Sequence, residues 1–388
     1  MSRLRLFIIA NKAVTGLLSA LFNGICTAYL ISKGFDLFAI SKYFSLSLII
    51  SPLLRIPLGY LADRVGRKKV YSCGLLLRAM QGFILIAGQS MFSLYMAAIA
   101  EAAYSALISG SLEAWLKGTV QQHGISINYP RLFGISKFVG SLVSIVTIFS
   151  IGFFLDIQLE GIIRVISIIY LSVSMCNLLI YKDQKGESET IAIDIRRIIS
   201  AVAKNKKVHY LCFILTTGFI LISVYMLYFQ AKALEIGVLE SSLLILASIG
   251  ALGSGISAFV YSKIGKKVNV RQIMPLLFIG VLASFIIMNF SHNIVMLGVG
   301  NFMYGISMGP LMPIFYSWAL DSISNDYTST LISFMTAVAT VAAAVATIVI
   351  GYLINNMGLT YAIYSGIVLG AISITFLLYM NKVIKTQK

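Results

Sequence analysis

Unbroken apolar runs of helical length dominate this chain, Leu211–Phe229 and Ile363–Met380 among them. No water in the hydrocarbon core can satisfy a bare N–H or C=O, so only helices and closed barrels cross it. A helix that crosses needs about 20 mostly apolar residues. A barrel would show segments of about 10 residues that alternate apolar and polar, and these runs do not alternate. The reading is therefore an all-α membrane protein. Composition agrees. Of 388 residues, 59% are hydrophobic and 11% are charged, against about 25% charged in a soluble domain; mean hydropathy is +0.91. This excludes a soluble enzyme, a collagenous chain and a disordered tail. The formal net charge of +16 does not point to nucleic acid, because a basic face needs a soluble scaffold to carry it.

Twelve segments qualify as spans, near 7–31, 37–61, 70–89, 91–117, 130–154, 161–181, 209–231, 239–262, 272–290, 293–318, 330–353 and 358–380. Gln89-Ser90 separates the third from the fourth, and Ser291-His292 the ninth from the tenth. Met1–Arg5 is basic, but the run after it is too long for a signal peptide and reads as the first span. The plan is a bundle over 1–181, a linker over 182–208 and a second bundle over 209–388. Ile191–Val208 in the linker alternates apolar and basic residues, which suits either a short surface-lying amphipathic helix or an irregular linker. Among the short outer loops the only cations are Lys33, Arg164 and Lys232; the rest of the loop Lys and Arg lie on the other side. By the positive-inside rule, that side and both termini are cytoplasmic. The basic excess then faces anionic membrane lipid.

Cys26, Cys73, Cys176 and Cys212 lie in or beside apolar segments without a CxxC, so they are expected to be small buried hydrophobes. His123, His209 and His292 lack ligand spacing. No metal or other cofactor is expected.

Residues Gly59-Tyr60-Leu61-Ala62-Asp63-Arg64-Val65-Gly66-Arg67-Lys68 join the second and third segments. A degenerate copy, Tyr261-Ser262-Lys263-Ile264-Gly265-Lys266-Lys267, joins the eighth and ninth. Trp115 and Trp318 end the fourth and tenth segments. Two related six-helix halves are a known transporter plan. The first stretch resembles the signature loop of the major facilitator superfamily, G-x-L-a-D-r-x-G-r-k. Ser109–Trp115, with its Glu-Ala-Trp ending, resembles a bacterial, efflux-like subgroup of twelve-helix facilitators. The resemblance implies two pseudo-symmetric six-helix bundles, alternating access and no enzyme activity. It implies a conformational gate at Gly59, Asp63, Arg64, Gly66, Arg67 and Lys68, and placement in a bacterial inner membrane. A single chain is expected to suffice, with a small molecule and protons as its partners. The helix-five segment Gly134–Gly140 lacks the Gly-Pro pair of many drug antiporters.

Ionisable residues at membrane depth cost about 2.5–3.5 kcal/mol on insertion scales, so each is a functional candidate. Lys12, Lys42, Arg55 and Lys137 are expected to snorkel to a helix end. Arg78 lies about 12 Å into the third helix and Glu101 about 15 Å into the fourth from the opposite face, at 1.5 Å per residue. Those depths nearly coincide in a core of about 30 Å, so the two can pair. Two readings stand: a proton-coupling switch, or a fixed strut between neighbouring helices. A buried carboxylate separated from its cation takes up a proton more readily. Glu113 is expected to serve a gate pair near the cytoplasmic end. In this fold the cavity is lined by helices one, four, seven and ten, which makes Asn11, Asn23, Thr217, Tyr225, Gln230, Asn301 and Tyr304 its candidate residues, with a helix–helix hydrogen bond as the alternative reading of each. Gly309-Pro310 and Pro313 predict a kink in the tenth segment. The functional expectation is proton-coupled export of an amphipathic compound, with import or facilitated passage of a polar metabolite as the alternative.

Overall fold

The computed structural model describes residues 2–108, 111–112, 115, 140, 142–151, 158–180, 206–264, 269–322 and 328–385. The fold is all-helical. The helices are α1 (Ser2–Ser32), α2 (Leu37–Val65), α3 (Arg67–Ala87), α4 (Met91–Ile108), α5 (Leu142–Ile151), α6 (Leu159–Ile180), α7 (Lys206–Glu235), α8 (Glu240–Ile264), α9 (Val270–Asn289), α10 (Ile294–Met308), α11 (Leu311–Ser322), α12 (Thr328–Met357) and α13 (Leu359–Lys385). Eleven spans among the described residues are long and apolar enough to cross a membrane, with α10 and α11 counted as one. The short α5 falls within the predicted fifth segment. Of the linker, only Lys206–Val208 are described, and they open α7. Lys137 and Glu113 lie outside the described residues.

Local signals set the ends. Asn293 caps α10 by accepting the Met296 N–H at 2.9 Å, which satisfies one of the orphan donors of a helix start. Ser90 and Ser93 bond reciprocally at the start of α4. Both tight helix–helix splits expected from the sequence are thus present. α10 stops at Met308, but Gly309 stays right-handed helical, so the Gly-Pro pair interrupts the ladder without reversing the chain.

The chain divides into two compact units. One comprises Met1–Phe35 with Lys42–Ile191, the other Asp36–Ser41 with Ala192–Lys388. In the first, α3 packs on α4 and α6, and α1 on α6. In the second, α8 lies along α10, α7 on α12, and α9 and α7 on α13. The alanine run of α12 supplies part of that contact, with Ala339, Ala343 and Ala344 buried.

The internal repeat reaches side-chain contacts. Phe7 meets Trp115 edge-on at 5.8 Å, and Tyr210 meets Trp318 edge-on at 5.0 Å. The spacing that aligns Trp115 with Trp318 also aligns Phe7 with Tyr210. It aligns Gly34 with Gly237 as well, and each ends its helix at positive φ. Phe35 N–H there returns to the Leu30 carbonyl, and Val238 N–H to the Ala233 carbonyl.

Cysteine placement differs from expectation. Cys26 is buried and Cys212 half-buried, whereas Cys73 and Cys176 are exposed. In a membrane an outward-facing cysteine meets hydrocarbon, so its apolar character is satisfied without burial.

The α8–α10 seam shows how glycine sets helix spacing. A Cβ on Gly305 would strike the Gly250 carbonyl, whereas one on Gly255 meets nothing within 4 Å. Small residues at such crossings let backbones approach closely. Gly305→Ala is expected to destabilise by about 1–3 kcal/mol through overpacking. Gly255→Ala is expected to leave stability unchanged or raise it by up to about 1 kcal/mol. Thermal unfolding of the two purified variants checks the contrast.

Candidate functional site

The first unit holds its polar centre where α1, α2, α3 and α4 meet. Arg78 on α3 and Glu101 on α4 form an ion pair. Arg78 also donates from Nη1 to Gln81 Oε1 at 2.7 Å, and Gln81 Nε2 donates to the Tyr43 hydroxyl. The guanidinium carbon lies 4.1 Å from the Phe22 ring centre and 5.0 Å from that of Tyr104. Such aromatic faces stabilise a cation further. The two partners are unequally enclosed. The Arg78 side chain is 2% exposed and that of Glu101 is 24% exposed. The cation is locked by three partners besides the carboxylate, while the carboxylate retains access from outside.

Tyr104 extends the centre. It meets Tyr170 edge-on at 6.1 Å, and Ser19 bridges the two hydroxyls at 3.4 and 2.9 Å. Gln81, Tyr43 and Phe22 escaped the sequence reading. Gln81 carried a usable signal: it stands three residues after Arg78 in an apolar run, on the same helical face.

The signature loop is a single-residue joint. α2 runs to Val65 and α3 starts at Arg67, with Gly66 between them at φ 118°. Its N–H bonds the Ala62 carbonyl, and its carbonyl accepts from Val70. Only glycine takes this backbone conformation without strain. Asp63 lies in the last turn of α2; its side chain is outside the described residues. No described atom lies within 4 Å of a Cβ built on Gly59, so that glycine admits no close neighbour here. Arg64 covers the Tyr60 ring at 4.5 Å, and Lys263 covers the Phe259 ring at 4.7 Å. The two loop copies therefore share a cation–aromatic pair in one register. Arg67 is half-buried. Lys68 is 2% exposed and donates to the Leu178 carbonyl at 3.3 Å. A cation near a helix C-terminus is favoured by its dipole, so Lys68 ties α3 to α6.

At the other end of the unit, Lys33 bonds Glu160 at 3.1 Å and the Ile86 carbonyl at 3.0 Å, and Arg164 bonds Glu160 at 2.9 Å. Burial works against the Lys33 charge, but Glu160 and Tyr29 outweigh it and hold that ammonium above its ordinary pKa. Lys33 and Arg164 are thus joined by one carboxylate.

Several expected cavity residues bond neighbouring helices. Asn11 exchanges two amide hydrogen bonds with Asn177 on α6, at 3.0 and 2.8 Å. Thr217 accepts from Ser373 on α13 at 3.3 Å. Asn301 is fully buried; it donates to the Leu246 carbonyl at 2.6 Å and accepts from the Tyr225 hydroxyl at 2.7 Å. Tyr225 stacks on Tyr304 at 3.9 Å, and Phe229 and Phe285 extend the pile on either side. Gln230 is buried, whereas Asn23 is exposed. A groove of about 470 Å³ between α8 and α10 is lined by Ile245, Leu246, Val299 and other apolar residues. It offers no polar side chain with which to orient a cargo.

Eleven apolar spans among the described residues, with a repeated loop and an ion pair between two of the spans, mark a multi-pass membrane protein. The sequence matches the family model of the Major Facilitator Superfamily over residues 9–246 and 210–387. The chain belongs to that superfamily and is a transporter, not an enzyme. Its fold is similar to a point mutant of the nucleoside transporter NupG, with TM-score 0.82 and 12% identity over 97% of this chain and 99% of that one. It is also similar to an inward-facing, unoccupied bacterial homolog of the human lysosomal transporter Spinster. There the TM-score is 0.67 with 10% identity, over 98% of this chain and 95% of the other. No curated protein matches the sequence.

Gly66→Ala is expected to cost about 1–2 kcal/mol, the strain of a Cβ at left-handed φ. A lowered melting temperature in the purified variant checks it; an unchanged one contradicts the joint described here.

Proposed function

We propose that the chain is a secondary active transporter whose proton coupling runs through the Arg78–Glu101 pair. The observation that carries this reading is the unequal enclosure of the two partners. Protonation of Glu101 removes a negative charge without stranding Arg78, because Gln81, Phe22 and Tyr104 still hold the cation. A strut with no other task needs neither the independent clamp nor the open side of the carboxylate. The cargo is a small amphipathic compound and the direction is export, in a bacterial inner membrane with both termini cytoplasmic. The stacked rings of the second unit support an amphipathic cargo, and the one-sided Lys and Arg of the loops support the orientation. Gly66 and its neighbours form the joint about which α2 and α3 pivot during alternating access. Of the expected cavity positions, Asn23 lies exposed.

The test uses proteoliposomes under an imposed pH gradient, with a panel of amphipathic dyes and of nucleosides, the latter because one fold neighbour is a nucleoside transporter. Wild type is expected to move a panel member against its gradient. Glu101→Gln is expected to reduce that movement to the level of protein-free vesicles while keeping exchange of labelled for unlabelled cargo. Full gradient-driven transport in Glu101→Gln overturns the coupling role. Collapsing the proton gradient separates the directions: loss of extrusion supports export, and loss of uptake supports import of a polar metabolite.

A further inference from the structure

A second cation in the first unit has no such enclosure. Arg55 sits within α2, ten residues before that helix ends at Val65. At 1.5 Å per residue this is about 15 Å along the axis, at the end of the apolar stretch Leu37–Arg55. Among the described residues Arg55 has no carboxylate, hydroxyl or carbonyl partner, and its Nε is buried without one. One turn earlier on the same face, Ser51 is 5% exposed and its buried hydroxyl is likewise unpartnered. Ser47, a further turn back, is 8% exposed. Serine in a helix ordinarily satisfies itself on the preceding turn, as Ser72, Ser111 and Ser167 do here. Ser51 does not.

Arg55 is half-buried, and a buried donor without a partner costs free energy that an arriving acceptor offsets. A guanidinium presents a planar fork of donors that matches a carboxylate or phosphate edge, and a hydroxyl one turn away adds one further donor. We propose that Arg55 and Ser51 receive an anionic oxygen group, a carboxylate or a phosphate, carried by the transported molecule. This rests on the transporter reading above and narrows its cargo to organic anions. The Arg78 pair cannot supply the same service, because its guanidinium is already occupied by Glu101 and Gln81.

The test is ligand-induced thermal stabilisation of the purified full chain. The probes are medium-chain and aromatic carboxylates and phosphate monoesters, each beside its uncharged amide or alcohol. Anionic probes are expected to stabilise wild type and their uncharged counterparts are not. Arg55→Gln is expected to weaken the anions by about tenfold or more, and Ser51→Ala by about two- to fivefold. Arg55→Lys, which keeps the charge without the fork, is expected to fall between and also guards against misfolding of Arg55→Gln. Equal stabilisation by charged and uncharged probes, or anion binding unchanged in Arg55→Gln, overturns the proposal. The same measurement in nanodiscs of neutral lipid and of neutral plus anionic lipid separates the sources. Dependence on Arg55 that appears only with anionic lipid, and with no soluble anion, marks a headgroup site and overturns the cargo assignment. Glu101→Gln is expected to retain anion binding. Failure of the coupling reading therefore leaves this result readable by itself.

Discussion

One buried cation joins four helices of the first unit. A guanidinium away from water is tolerated only when paired and hydrogen-bonded, and Arg78 receives both. Glu101 neutralises it from α4, Gln81 accepts from it within α3, and Phe22 of α1 and Tyr104 of α4 close over it. Gln81 is in turn held by Tyr43 of α2. Four helices are thereby fixed at one depth by a single charge. Because lipid is as apolar as a helix interior, hydrophobicity alone cannot hold helices together in a membrane. Polar closure of this kind supplies register and orientation that greasy surfaces cannot.

The two units share a plan and differ in chemistry. Equivalent positions pair Phe7 with Trp115 and Tyr210 with Trp318, and end a helix at Gly34 and at Gly237. Each also stitches its first helix to its last with a polar pair, Asn11 to Asn177 and Thr217 to Ser373. The membrane-depth charges Arg55, Arg78 and Glu101 all fall in the first. The second instead carries the stacked Phe229, Tyr225, Tyr304 and Phe285 with Asn301 beside them. A repeat that keeps its packing contacts while exchanging its interior groups is free to specialise each half.

The spans were legible because the bilayer imposes helix length on any sequence that crosses it. The signature loop was legible because a tight joint needs glycine at Gly66. The meeting of Arg78 and Glu101 followed from depth arithmetic alone. What escaped depended on which side of a helix faces its neighbours. In a soluble protein the apolar stripe answers that question; in a membrane every face is apolar and the stripe vanishes. Hence Tyr43 and Phe22 around Arg78 could not be picked out, the particular partners of Asn11 and Thr217 on neighbouring helices were not legible, and Cys73 and Cys176 read as buried. The contact of Lys68 with Leu178 was not legible because the two are distant in sequence.

The account stands on Glu101 exchanging a proton while Arg78 stays clamped. Infrared difference spectroscopy of the lipid-reconstituted protein between neutral and acidic pH observes this directly, through the C=O stretch of a protonated carboxylic acid. The account predicts a titrating band in wild type that is absent from Glu101→Gln and that moves when Gln81→Leu loosens the clamp. A band unchanged in Glu101→Gln, or no carboxylic acid signal across the pH range in which the protein stays folded, would contradict it.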